Sequence, residues 1–125
     1  MKIERFEDID SWREARTLVR MIYEVTKQEG FSRDFELKNQ IRRAAIAVMS
    51  NIAEGFDRQS NREFIQFLVI ARASVSEVKS RLYVALDQDY IDKKTFQDGY
   101  SKSTTIVNLI NGLLRYLRNN PQPST

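Results

Sequence analysis

Between residues 60 and 87 an apolar residue recurs at alternating steps of four and three: Phe64, Leu68, Ala71, Val75, Val78, Leu82 and Ala85. Such steps keep one stripe on one face of an α-helix, the seam by which helices pack side by side in bundles. A strand would need alternation at every second residue, and none is sustained in the chain. The start of this helix is marked as well. Ser60 followed by Glu63 reads as a capping box, the Ser oxygen accepting from the Glu63 amide and the Glu side chain reaching back. A helix over Asn61 to Asp87 would be about 40 Å long, which sets the length of any bundle built on it.

Three further segments carry helical stripes. From about Ile9 to Lys27 the stripe is Ile9, Trp12, Ala15, Val19, Ile22 and Thr26, with Asp8, Asp10 and Ser11 as cap candidates. From about Phe35 to Glu54 it is Leu37, Ile41, Ala44, Val48 and Ile52, and Gly55 reads as the stop signal. From about Asp92 to Arg118 it is Phe96, Ser103, Val107, Ile110, Leu114 and Leu117, weakened by Gly99 and Gly112. An inward Gly99 would permit close packing, whereas Gly112 projects away from the stripe. The connections are short, and short connections make antiparallel neighbours. The expected fold is all-α: an antiparallel up-down-up-down four-helix bundle over residues 1–119, with a frayed tail over 120–125. The second helix carries an extra apolar stripe, Ile46, Met49 and Ala53, on a different face, which one packed partner would not need. Those three residues are candidates for contact with a second subunit.

The inventory of reactive side chains is short. The chain has 125 residues with no Cys and no His, which removes thiolate nucleophiles, disulfides, Cys/His zinc sites and histidine acid–base chemistry. No cofactor or metal is expected, and no enzymatic activity. No secretory h-region is visible, and no apolar run reaches the ~20 residues of a membrane span. A cytoplasmic protein without membrane association is the expectation. The net charge of +3 lies mainly in residues 92–125, with 5 basic and 2 acidic groups. That permits nucleic-acid binding without requiring it.

Glu54 is the odd residue. It stands next to the expected end of the second helix, where the dipole favours a cation. In projection it lies near Arg43 and Ala47, with Asn51 close to the stripe. The expected role is a partly buried polar network of Arg43, Asn51, Glu54 and Arg72, in which Glu54 pairs with Arg43, Arg58 or Arg72 and Asn51 satisfies carbonyls at the helix end. A catalytic carboxylate would need a second acid or a metal, and nothing in the sequence places one beside it. Among the cations, Arg42 lies beside Arg43, Arg58 and Arg62 bracket the second turn, and Arg115 and Arg118 close the fourth helix. For the last pair, dipole compensation competes with phosphate contact. No helix-turn-helix, zinc-finger or RNA-recognition motif is present. The candidate nucleic-acid contacts are Arg42, Arg58, Arg62, Arg115 and Arg118.

A longer string joins these features: "FEDIDSW" (6–12), "QIRRAA" (40–45), "NIAEGF" (51–56), Arg58, Ser60, "EF" (63–64), "FL" (67–68), "IARAS" (70–74) and Glu77. It resembles the bacterial four-helix bundle proteins encoded in intervening sequences of 23S ribosomal RNA genes, over nearly the whole chain. Where that pattern often carries a proline before the Asn of "NIAEGF", this chain has none, which favours an unkinked second helix. The resemblance implies a homopentamer with a central channel and names no active site. The family is also similar to the accessory proteins of diversity-generating retroelements, pentameric bundles that bind nucleic acid and a reverse transcriptase. RNA or DNA, and a reverse transcriptase or another protein, are therefore the expected partners, with a protein-interaction scaffold as the alternative function.

Overall fold

The structure, a computed structural model, describes residues 3–120. Four α-helices dominate it: α1 (Asp10–Thr26), α2 (Phe35–Asp57), α3 (Asn61–Asp87) and α4 (Lys93–Asn119). Short 3-10 turns at Phe6–Asp8 and Phe31–Arg33 precede α1 and α2. Each helix packs on the next, and α4 closes back on α1, giving an antiparallel four-helix bundle. The expected tail overlaps the described chain only at Asn120; residues 121–125 lie outside it.

The heptad seam of α3 is the centre of the core. All seven of its residues are buried, against Ala15, Leu18 and Ile22 of α1, Ile41, Val48 and Ile52 of α2, and Ile106, Ile110 and Leu114 of α4. Ser60 caps α3 as expected, its Oγ accepting from the Glu63 amide at 3.3 Å. The Glu63 carboxylate does not reach back to complete the expected box; it pairs with Arg58 at 3.5 Å. Asp34 and Asp92 cap α2 and α4 by accepting from the Leu37 and Thr95 amides. Bonds to the Thr95 amide hold the Asp92 carboxyl below the usual carboxylate range. At one end of the bundle Phe31 is fully buried and stacks on Tyr90 with centroids 5.3 Å apart. This contact ties the α1–α2 connection to the α3–α4 connection.

One boundary differs from the sequence reading. Helix α2 does not stop at Glu54 but runs unbroken through Gly55 to Asp57, and the chain turns at Gln59, whose φ is +59°. Gly55 is buried inside the helix, facing α3. A Cβ there would stand 2.6 Å from the Phe67 Cβ and 3.1 Å from the Phe64 ring. Its lack of a side chain serves helix–helix approach, and its backbone stays helical. Gly99 has the same use on α4, facing Leu82 as expected of an inward glycine.

Candidate nucleic-acid interface

The expected polar network does not form as a unit. Glu54 is exposed and meets Arg58 at 3.1 Å, one turn along α2. Arg58 in turn reaches Glu63 at the start of α3 and lies over the Phe67 ring, 5.0 Å from its centroid. The tie between α2 and α3 is therefore made by Arg58, with Glu54 holding it from behind. Asn51 donates to the Ala47 carbonyl within its own helix at 2.8 Å. It does not reach the helix end, because α2 continues past it for more than a turn. Arg43 is exposed and pairs with no carboxylate among the described residues. Arg72 turns the other way: its Nη1 donates to Asn111 Oδ1 of α4 at 2.7 Å. The network was expected because projection shows which residues share a face of one helix, whereas partners across helices depend on register.

The five candidate cations divide in two. Arg42 has neutral partners, its Nε donating to Thr26 Oγ1 at 2.8 Å and its guanidinium lying 4.2 Å from the Tyr23 ring centroid. Arg58 already faces two carboxylates. Arg62, Arg115 and Arg118 are exposed, and none of them forms an ion pair among the described residues. A free guanidinium can meet phosphate without first giving up a carboxylate.

A further set of groups lies along the junction of α3 and α4. Here Arg72 meets Asn111, Lys79 lies over the Tyr100 ring at 4.6 Å, and Tyr83 contacts both Phe96 and Tyr100. Sequence reasoning assigned Arg72 elsewhere and did not pick out Lys79. The signal that would have found them is a second 4–3 series on α3, Ile65, Val69, Arg72, Ser76, Lys79 and Tyr83, beside the buried one.

Of the apolar candidates, Ile46 is exposed at 39%, Met49 is half-buried and packs against the core, and Ala53 is half-buried. Ile70 and Val84 of α3 are exposed as well, at 50% and 43%. Gly112 is half-buried, and the nearest atom to a Cβ placed there would be Arg115 Nη2 at 3.9 Å.

Among the described residues, Glu54 does not line the surface cavities beside Phe56 and Phe64, beside Leu82 and Gly99, or beside Ile9 and Leu113. Among the described residues, no group of three or more acidic side chains is placed to hold a metal ion, and no helix is long and apolar enough to cross a membrane.

A solved protein of unknown function from the S23 ribosomal protein family, from Bacteroides thetaiotaomicron, superimposes with a TM-score of 0.76. The two share 23% identity over 84% of this chain and 95% of that one, a likeness that speaks for the fold. No curated protein matches the chain. The family model described as 23S rRNA-intervening sequence protein matches residues 7–112. With most of the sequence matched, and the bundle that the resemblance implied now described, the chain belongs to the 23S rRNA-intervening sequence protein family.

Proposed function

We propose that this chain is a non-enzymatic cytoplasmic protein that assembles with copies of itself and binds RNA or DNA through basic surface. The observation that carries this reading is the charge of α4. From Gly99 onward the sequence holds Lys102, Arg115 and Arg118 and no carboxylate. Lys102 is neutralised by Glu14 of α1, while Arg115 and Arg118 are exposed without an ion pair among the described residues. Two free arginines make a weak field on one chain. A homopentamer, the assembly that the family resemblance implies, would repeat them around a ring and add their fields. Phosphate contacts of this kind bind without reading sequence, and their strength falls steeply with salt.

The test is binding of structured RNA and duplex DNA by the purified protein at low and moderate salt, with light scattering to give its mass. An assembly that binds at low salt and releases on salt addition is the expected result. No binding at low salt overturns the reading.

A second reading rests on the exposed apolar residues Ile46, Ile70 and Val84. Those left uncovered after self-assembly would favour a protein-interaction scaffold or accessory subunit, for example of a reverse transcriptase. Recovery of nucleic acid but no protein partner in a pull-down would count against it.

A further inference from the structure

We infer that the groove between α3 and α4 binds single-stranded nucleic acid, with bases stacking at Tyr83 and phosphates meeting Arg72 and Lys79. The inference deepens the proposed nucleic-acid binding and rests on it. Three features of the groove carry it: fixed register, uncompensated charge and an exposed aromatic platform.

The register is fixed by the Arg72–Asn111 hydrogen bond and by the Tyr83–Tyr100 ring contact, with centroids 6.0 Å apart. Because the helices are antiparallel, α4 passes Tyr83 at Tyr100 and Arg72 at Asn111, and its next turns carry Arg115 and Arg118. Tyr100, Thr104, Asn111, Arg115 and Arg118 follow one another at helical spacing along this flank. From Tyr100 to Arg118 the flank is about 27 Å long.

From Arg72 to Lys79 the charge is one-sided; the exposed Asp87 lies one turn beyond Tyr83 on α3. Between Glu63 and Asp87, α3 has one acid, Glu77, and it pairs with Arg81, whose Nε also donates to Gln40 of α2. That pair serves the opposite side of α3. On α4 the acid nearest Tyr100 is Asp98, held by Lys94 at 2.9 Å. Arg72 therefore has a neutral amide as its partner and Lys79 an aromatic ring. Neither cation is neutralised, so both can serve phosphates.

The platform is Tyr83. Its ring is held by Phe96 at 4.8 Å and by Tyr100, yet half of the residue remains exposed. An aromatic ring fixed on two sides and open to solvent suits base stacking, which needs an exposed π-face and tolerates any sequence. Bases in a duplex are already stacked, so the platform selects unpaired ones. The polar neighbours Thr104 and Asn111 match the neutral side chains that commonly contact sugar and phosphate.

The experiment measures binding of labelled oligouridylate, oligothymidylate and a duplex by fluorescence anisotropy across a salt series. The proteins are the parent, Tyr83→Leu, Tyr83→Phe, Lys79→Gln and Arg43→Gln, with circular dichroism to check the fold. The parent should bind single strands more tightly than duplex. Tyr83→Leu should weaken single-strand binding about tenfold or more, and Tyr83→Phe should retain it. Lys79→Gln should lower the salt slope by about one, and it reads the groove even if Tyr83→Leu disturbs the bundle. Arg43→Gln, on α2, should bind like the parent. Preference for oligouridylate over oligothymidylate would identify the ligand as RNA; equal affinity would support stacking and phosphate contact common to both. Nucleic-acid binding that tolerates both Tyr83→Leu and Lys79→Gln overturns the groove and leaves the proposed function standing. No binding of any nucleic acid by the parent at low salt overturns both.

Discussion

A Cβ on residue 55 would stand 2.6 Å from the Cβ of Phe67, so Gly55 and Phe67 together set how closely α2 and α3 approach. Phe67 Cβ is attached directly to its backbone and cannot swing aside. Relief would require the two helices to part, over the stretch where Arg58 and the Phe64 ring also bridge them.

Gly55→Ala should therefore destabilise the protein. Alanine favours the helix over glycine by about 1 kcal/mol, whereas overpacking of this kind costs about 1–3 kcal/mol. The collision is with a Cβ, so the upper half of that range applies, and a net loss of about 1–2 kcal/mol is expected in urea unfolding. Gly112→Ala is the contrast. Its new Cβ would find nothing nearer than the flexible end of Arg115, at 3.9 Å. Only the propensity term remains, so the variant should gain about 0.5–1 kcal/mol. Equal effects from the two substitutions would contradict the close-approach argument.

Glu54→Ala should have a small effect. The Glu54 and Arg58 side chains are 56% and 47% exposed, and pairs of that kind contribute at most about 1 kcal/mol in water. Removing Arg58 should cost more, because its guanidinium also reaches Glu63 and covers the Phe67 ring. A double-mutant cycle on Glu54 and Arg58 in urea would measure the coupling, which should shrink as salt is added.

These two cases show where the sequence was legible. Helix α3 was readable end to end, since its cap and seam are local signals that tertiary contacts reinforce. The end of α2 was not, because glycine serves two purposes that look alike in sequence: turning a chain and admitting a neighbour. Only the position of Phe67 separates them. The partners of the arginines were hidden for a related reason. Arg58 finds Glu54 on its own helix, a spacing of four that can be read directly. Arg72 finds Asn111 across 39 positions, which requires the register of α3 on α4. The α3–α4 groove stayed out of view because its residues flank the apolar stripes and acquire meaning only once two helices are set side by side.

The Tyr90–Asp34 hydrogen bond predicts an alkaline dependence. Tyr90 Oη donates to Asp34 Oδ2 at 3.0 Å, and this bond, with burial and the carboxylate charge, raises the Tyr90 pKa above its usual value. The folded protein holds the phenol proton more tightly than the unfolded chain does. The resulting stabilisation is present in full below the unfolded value of about 10 and is lost as pH rises through the folded value. Tyr90→Phe should be less stable at neutral pH, and the gap to the parent should narrow above pH about 10. Urea midpoints for both proteins across that range give the comparison; a gap that widens with pH would contradict the assignment.

The apolar residues left outside the bundle make the last prediction. Ile46 is exposed on α2, with Met49 and Ala53 following it on the same face. On α3, Ile70, Ala73 and Val84 also lie on exposed positions outside the buried seam. Within one chain these exposed apolar side chains stay in water, because its own helices cover only the buried face. A neighbouring copy packed helix to helix would cover them. Ile46→Glu and Ile70→Glu place charge on these surfaces without touching the core, so each monomer should keep its helical content. If these faces join the copies, the mass from light scattering should fall toward one chain of 14.7 kDa, and nucleic-acid affinity should fall with it as the repeated arginines are separated. Variants that keep the parent's mass would exclude both faces from the assembly.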